Sequence, residues 1–307
     1  MALAIGSAIA ISFAAPAASA WCRTTTTQDF VAPPGGNPCD TAGKPLFWSS
    51  KCLSFDVQRD ASPAQVDLAT ARATMQAAFD SWTSADCPVD PVTCVGSPHT
   101  GLHPSISVRD LGPVTCDQVE YNQTLGNANM IVFRDGTWPH PDGDVTLALT
   151  TVTFSPDSGE IYDADMEINS NPKVNTVTTG DAHVVYDLQS IMTHESGHFL
   201  GLAHTQAQNT TSVMYARYKE GATFMRHLAE DDVCAICAAY DPKRSTVCEP
   251  TPRHGLALTC GGGDTGNTTK GGCHCALVGQ DAGLSPYALS LSALALVVGL
   301  ARRRKRG

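Results

Sequence analysis

Apolar residues recur along this chain at two spacings, which predict two kinds of element. Apolar residues at near-helical spacing predict a helix at Pro63–Thr83. Two more helices are predicted, at Asp187–Leu202 and Glu230–Tyr240. Alternating runs and runs rich in β-branched residues predict four strands, Phe47–Val57, Asn129–Phe133, Val145–Phe154 and Asp163–Ile168. Strands with a helix before them and helices after them predict an α+β fold with a mixed sheet on one side of a cleft.

Both ends of the chain carry addressing signals. Met1–Ala20 is apolar and rich in small residues, and it closes on Ala18-Ser19-Ala20, the A-x-A pattern that signal peptidase cleaves. We therefore predict a signal peptide over residues 1–20. Ala282–Ala301 has no charged residue and would be roughly 30 Å long as a helix, enough to cross a bilayer. With the basic residues that follow, residues 282–307 are predicted to be a transmembrane or sorting segment whose basic end stays cytoplasmic.

The charge balance excludes one class of partner. The chain has 30 acidic and 20 basic residues, and five of the basic residues lie in the segment 302–306. Without that tail the body has 15 basic residues against 30 acidic ones, a net charge of −15. A surface this acidic repels nucleic acid, so we expect no nucleic-acid partner.

The 12 cysteines indicate an oxidising compartment, since no two CxxC motifs stand at zinc-ribbon spacing. Ten of them lie in the body of the chain, between Cys22 and Cys260, an even number that suits disulfides. Spacing permits short loops closed by Cys87–Cys94 and Cys248–Cys260 but does not determine the pairing. We expect an exported, disulfide-bonded protein.

The predicted helix at Asp187–Leu202 contains a metal-binding pattern. HESGHFLGLAH at positions 194–204 begins with the motif H-E-x-x-H. His194 and His198 stand one turn apart on the same helix face, so both imidazoles can bind a single Zn²⁺ at ~2.0–2.1 Å.

The residues after the second histidine extend this pattern. Gly201 permits the helix to end and the chain to turn, which brings His204 to the metal as a third ligand. Three protein ligands leave the fourth position to water, as catalytic zinc sites require. Glu195 is placed to take a proton from that water. The sequence predicts one catalytic zinc ion bound by His194, His198 and His204.

Four segments, the zinc motif among them, carry a resemblance to a known family. HESGHFLGLAHT at His194–Thr205 is similar to the long zinc motif of the metzincins, and SVMYARY at Ser212–Tyr218 resembles their Met-turn. Within that clan the chain most resembles the matrixins. LAEDDVCAICAAY at Leu228–Tyr240 is similar to the helix that closes a matrixin catalytic domain, and AFDSW at Ala78–Trp82 resembles the family's first helix.

The resemblance implies an α+β metzincin-like zinc peptidase domain over residues 21–250, with a mixed, mostly parallel twisted sheet, an active-site helix and a C-terminal helix. It implies a zinc metalloendopeptidase acting on protein or peptide substrates. Met214 would form a hydrophobic floor beneath the zinc, and Tyr218 would help to wall a substrate pocket. Substrate would pair with an edge strand, for which Val145–Phe154 is the candidate.

The chain also departs from the matrixin pattern. Ala216 stands where the family usually has proline, so the pocket wall is expected to differ. His140 and Asp142 are present, but Leu149 and Thr150 stand in a segment where a further histidine is expected, so we predict no second zinc. Four acidic residues suit a Ca²⁺ site, or equally a solvated acidic strand and turn. They are Asp157, Asp163, Asp165 and Glu167.

Residues 251–281 are predicted to form a Gly/Thr-rich linker that contains Cys273-His274-Cys275. Together with the segment 282–307, this resembles the C-terminal sorting tails of myxobacterial surface proteins. The resemblance implies that the tail is recognised as a sorting signal and is cleaved or lipidated at Cys273 or Cys275. The alternative is a permanent single-pass anchor. The expected location is the cell surface, or the medium after C-terminal processing.

Two other functions stay open at this point. One is a surface-anchored binding protein with a catalytically weak zinc site, and the other is a zinc amidase acting on cell-wall peptides. An intact Glu195 is evidence against the first, and the Met-turn is evidence against the second.

Overall fold

The computed structural model describes residues 21–27, 39–205 and 208–260, and the backbone of residues 273–279. The predicted signal peptide and the predicted segment 282–307 lie outside the described residues. Within the described ranges, none of the helices has both the length and the apolar character that a membrane crossing requires.

The described chain forms three α-helices and thirteen strands. The helices are α1 (Leu68–Thr83), α2 (Leu188–Phe199) and α3 (Glu230–Ala239), with a short 3₁₀ helix at Phe224–Arg226 before α3. The strands are β1 (Cys22–Arg23), β2 (Cys52–Gln58), β3 (Pro88–Asp90), β4 (Val95–Pro98), β5 (Ser107–Val114), β6 (Met130–Phe133), β7 (Thr146–Phe154), β8 (Ile161–Ile168), β9 (Val177–Thr178), β10 (Tyr186–Asp187), β11 (Leu202–Ala203), β12 (Arg217–Tyr218) and β13 (Cys273–Gly279).

Seven of these strands form the main sheet, in the order β12-β13-β7-β8-β6-β2-β5. Strands β5, β2, β6 and β8 run parallel to one another, as β12 does to β13, while β7 is antiparallel to both β8 and β13. The predicted α+β class with a mixed, mostly parallel sheet is therefore confirmed. The prediction that Val145–Phe154 is an edge strand is wrong in this structure, because β13 covers β7.

Aromatic side chains bind the helices to this sheet. Phe79 of α1 packs against Phe55 of β2 and against Phe199 of α2, with ring centroids 5.4 Å and 4.9 Å apart. Trp82 is fully buried, and its indole N–H donates to the carbonyl of Thr193, 2.8 Å away. This packing fixes α2 against α1, so that the histidines of α2 stand on a rigid support.

Local capping interactions set the helix limits. The sequence predicted that the first helix begins at Pro63, but it begins after Asp67, whose carboxylate accepts the Thr70 N–H. The residues before it form a turn in which the Val66 N–H donates to the carbonyl of Ser62. The second helix ends before Leu202 because Gly201 adopts φ +84° and turns the chain away.

Two strand predictions also change. Phe47–Val57 was predicted as one strand, but the strand begins at Cys52, and Phe47 makes only an isolated bridge to Glu160. The hydroxyl of Ser50 accepts the N–H of Cys52, which supports the bend between the two. Strand β5 was not predicted, because Gly112 and Pro113 interrupt its weakly alternating pattern.

Five disulfides pair all ten cysteines of the body, as the even number predicted. They are Cys22–Cys39, Cys52–Cys248, Cys87–Cys237, Cys94–Cys234 and Cys116–Cys260. The two short loops that spacing permitted, Cys87–Cys94 and Cys248–Cys260, do not form. Instead, four of the five bonds join residues 140 to 196 positions apart, information that local spacing does not contain.

Residues 251–260, assigned above to the linker, pack on the body of the protein. The Ala257 N–H donates to the carbonyl of Asn127, and Cys260 is bonded to Cys116 beside β5. The packed part of the chain therefore continues to Cys260.

Candidate metal centre

Three imidazoles converge at the C-terminal end of α2. The Nε2 atom of His198 lies 3.1 Å from Nε2 of His194 and 3.2 Å from Nε2 of His204, and the third pair is 3.3 Å apart. His194 and His198 are buried, and His204 is half-buried. Sequence analysis brought these three residues together, and the structure does the same.

Backbone carbonyls orient two of the rings. Nδ1 of His194 lies 2.6 Å from the Val213 carbonyl, and Nδ1 of His198 lies 2.9 Å from the Leu202 carbonyl. A carbonyl can only accept, so both Nδ1 atoms carry the proton and both Nε2 atoms keep a lone pair.

The electrostatics of the cluster also favour neutral rings. Burial lowers the pKa of His194 to about 3 and that of His204 to about 4, and in His194 the nearby His204 adds to the effect. The pKa of His198 is also lowered, by burial and by its two histidine neighbours. Neutral imidazoles are the form that binds a metal.

The donor set fits a tetrahedral metal ion. Ligand atoms at ~2.0–2.1 Å from zinc in tetrahedral geometry stand about 3.3 Å from one another. The observed separations are 3.1–3.3 Å. Among the described residues, no other cluster of three potential ligands contains a histidine.

The carboxylate between the two helical histidines is held by the sheet. Glu195 is fully buried, and its Oε2 atom accepts a 2.5 Å hydrogen bond from the hydroxyl of Thr150 in β7. Sequence analysis missed this role of Thr150, which it noted only for lacking an expected histidine. A threonine in a strand carries no local signal of such a contact.

The segment after the third histidine returns beneath α2. Met214 is buried, and its sulfur packs against Gly197 so closely that a Cβ on Gly197 would overlap it. The Thr205 N–H donates to the Met214 carbonyl, 2.9 Å away. Glycine at position 197, just before the second histidine of the motif, therefore leaves the space that Met214 occupies.

Comparison with known proteins agrees with this geometry. Residues 127–241 match the family model of the matrixins. Matrix metalloproteinase-20 of Homo sapiens is 33% identical over 129 residues, which cover 41% of this chain and 24% of that protein. Metalloendoproteinase 1-MMP of Arabidopsis thaliana is 31% identical over 106 residues, covering 34% of this chain and 28% of its own. Metalloendoproteinase 2-MMP of the same plant is 28% identical over 228 residues, covering 70% and 56%.

Over residues 127–241 this chain is matrixin-like. The matched regions span between 24% and 56% of these relatives' own length. Zinc is the metal that the matrixin family implies, and the three histidines supply the ligand set that such an ion needs.

A buried acid fixes the Met-turn of this matrixin-like chain, and sequence analysis missed it. Asp232 of α3 accepts hydrogen bonds from the Ser212 hydroxyl at 2.5 Å and from the Val213 N–H at 2.8 Å. It also accepts the Ala229 N–H, so it caps its own helix. An acid in the first helical turn is a known capping signal, but its second role at the Met-turn has no sequence signature.

Tyr218 lies in β12, beyond the Met-turn, and is fully buried. Its hydroxyl donates to the Ala222 carbonyl and accepts the Asp187 N–H at 3.0 Å. Burial is the main cause that raises the pKa of Tyr218 to about 12. Its predicted part in a substrate pocket stays a prediction.

The residues named for calcium lie in two places. Asp163, Asp165 and Glu167 share one face of β8, whereas Asp157 lies in the turn before it. Among the described residues, no three of these four carboxylates have oxygen atoms within 4.8 Å of one another. Burial raises the pKa of Asp163 to about 8 and that of Asp165 well above its ordinary value.

The third of these acids contacts a guanidinium and an imidazole. Glu167 accepts from Arg134 Nε at 2.7 Å and lies 2.5 Å from Nε2 of His140. These groups line a cavity of about 650 Å³ together with Tyr121. The calcium site stays a prediction.

Proposed function

We propose that this protein is an exported zinc-dependent endopeptidase. The observation that carries the proposal is the convergence of three Nε2 atoms within 3.3 Å beside a buried glutamate. A site of three neutral imidazoles leaves a position for water, and the adjacent carboxylate gives that water a base.

The residues of this chain would divide the work as follows. Bound zinc would lower the pKa of a coordinated water to roughly 7 and polarise the scissile carbonyl. Glu195 would take a proton from that water and pass it to the leaving amine. Thr150 would hold the carboxylate of Glu195 in one orientation through its 2.5 Å hydrogen bond.

We further propose that substrate binds as an extended strand beside β7, in the place that β13 takes in this structure. A strand with free N–H and C=O groups recognises peptide backbones by adding a strand to the sheet. Residue Thr150 of β7 contacts Glu195, so a peptide paired with β7 would pass in front of the catalytic carboxylate. Met214 and Tyr218 would shape the floor and wall of the pocket.

A pair of measurements tests the catalytic proposal. Glu195→Ala is expected to keep one zinc per chain, measured by metal analysis, and to lose cleavage of casein or a peptide library by several orders of magnitude. Glu195→Asp retains a carboxylate with a shorter reach and serves as the matched variant. Turnover near wild type in Glu195→Ala would contradict the role of this residue.

Export and surface attachment form a separate proposal. Five disulfides are typical of proteins that fold outside the reducing cytosol. We propose cleavage after Ala20 and attachment to the cell surface through residues 282–307. Mass spectrometry of the native protein tests both, since a mature chain that begins elsewhere than Trp21, or that is absent from the surface fraction, would contradict them.

A further inference from the structure

The backbone of Cys273–Gly279 is inserted between two elements of the candidate site. It pairs antiparallel with β7, from Cys273 opposite Val152 to Val278 opposite Thr146. Its last two residues pair parallel with β12. The position beside β7 is therefore taken by a segment of the same chain.

The register places this segment in front of the catalytic carboxylate. Cys275 lies opposite Thr150, the residue whose hydroxyl donates to Glu195. Gly279 lies opposite Tyr218. Cα atoms of β13 and α2 come within 8 Å of one another. The strand thus runs across the site from Glu195 toward Tyr218.

We propose that residues 273–279 act as an internal latch that keeps substrate out of the active site. This proposal rests on the proposed endopeptidase function and on substrate binding beside β7. One edge of a strand can carry only one partner, because each backbone N–H and C=O group forms its ladder bond once. A bound latch and a bound peptide substrate therefore exclude each other.

The connection between Cys260 and Cys273 is short enough to keep the latch near the site and long enough to let it leave. Cys260 is fixed to Cys116, and only 12 residues separate it from Cys273. A connection this short keeps the effective concentration of the segment at the site high. Twelve residues can also extend by about 40 Å, which is enough for the segment to leave the site while the rest of the fold stays intact.

Two proline substitutions in the full-length chain test the latch. Successive N–H groups of a strand point to opposite neighbours, so Ala276→Pro with Leu277→Pro removes one donor toward β7 whatever the phase of the ladder. The matched control is Thr268→Pro with Thr269→Pro, two prolines placed before the pairing segment. We expect kcat/KM for an added peptide to rise about 10-fold or more in the first variant and to stay unchanged in the control.

Hydrogen exchange supplies a readout that does not depend on activity. Amides of residues 146–152 are expected to exchange faster in the 276/277 variant than in the wild type, and at the wild-type rate in the control. Zinc content and thermal midpoint are measured for all three proteins. A specific protease site inserted between Cys260 and Cys273 gives a second route, since cutting the folded chain releases the segment without a substitution inside it.

A synthetic peptide of residues 271–281 closes the test. Added to the released enzyme, it is expected to inhibit competitively and to restore protection of β7, whereas a scrambled peptide does neither. In a chain that cleaves peptides, an unchanged kcat/KM after release would overturn the latch. Rapid cleavage of the wild-type chain within 273–279, seen by intact mass, would also overturn it, because the segment would then be a substrate.

The two proposals fail in different ways. If neither the wild type nor any released variant cleaves a peptide, the endopeptidase function fails. Hydrogen exchange of the β7 amides then decides alone whether the segment occupies the site. If the control chain already cleaves peptides as fast as the released chain, the latch fails and the endopeptidase function stands.

Discussion

The hydroxyl of Thr150 donates a 2.5 Å hydrogen bond to Oε2 of Glu195. Thr150 belongs to the sheet and Glu195 to the active-site helix, so this bond joins the surface that would bind substrate to the group that would move the proton. Both residues are fully buried. The orientation of the carboxylate is therefore set by β7 rather than by the helix alone.

Replacing Thr150 with valine should impair the chemistry while leaving the metal in place. Valine has nearly the same shape but no hydroxyl, and a hydrogen bond to a charged group contributes about 1.5–3 kcal/mol. We expect kcat to fall about 10- to 100-fold with an unchanged zinc content. Thr150→Ser restores the hydroxyl and should recover most of the rate. Equal kcat for the valine variant and the wild type would show that the bond does not position Glu195.

Gly197→Ala should destabilise the protein, although alanine is the better helix former. A Cβ at this position would overlap the sulfur of Met214 and lie 3.0 Å from the indole of Trp82. Overpacking of this kind costs about 1–3 kcal/mol. Chemical denaturation measures the loss. Gly136→Ala is the matched control, because a Cβ there meets nothing within 4 Å, and its free energy of unfolding should not fall.

The sequence predicted the convergence of the three histidines because its determinants are local. Two ligands and the base lie within one turn of helix. Gly201, with its φ of +84°, turns the chain toward His204, six residues after His198. Periodicity also placed the central strands β6, β7 and β8 to within two residues.

What could not be predicted depends on residues far apart in the chain. The contact of Thr150 with Glu195 spans 45 residues, and that of Ser212 with Asp232 spans 20. The disulfide partners and the covering of β7 by residues 273–279 likewise require the folded sheet. The first helix begins later than predicted because the cap at Asp67 overrides the apolar pattern before it.

Asp163 should make stability fall as pH rises toward neutrality. Burial raises its folded-state pKa to about 8, against an ordinary value of 3.8. Between these values the folded state binds more protons than the unfolded state, so stability present below pH ~4 is lost as pH rises through ~8. Asp163→Asn removes one titrating acid, and its unfolding free energy should gain on the wild type between pH 5 and pH 8.

The same measurement tests the predicted calcium site. Calcium would keep the carboxylates of Asp163 and Asp165 ionised, and added Ca²⁺ would then stabilise the wild type but not Asp163→Asn. Denaturation curves are recorded with chelator and with excess Ca²⁺. A wild type whose stability does not respond to Ca²⁺ would exclude calcium binding at this pair.

Arg226 forms ion pairs with one buried and one exposed acid, so the contribution of each pair to the free energy of unfolding can be measured separately. Its guanidinium donates to both oxygens of Asp187, at 2.8 Å and 2.6 Å, and to Asp181 at 2.6 Å. The side chain of Asp187 is fully buried and that of Asp181 is 87% exposed. Asp187 also caps α2 by accepting the Ser190 N–H.

We expect Asp181→Ala to change the unfolding free energy by less than about 0.5 kcal/mol, because solvent screens an exposed pair. Arg226→Ala should cost about 3–5 kcal/mol, because it leaves the carboxylate of Asp187 buried without its cation. Urea denaturation of both variants measures the difference. Equal losses in the two variants would mean that the buried pair contributes no more than the exposed one, and that the start of the active-site helix is held by other contacts.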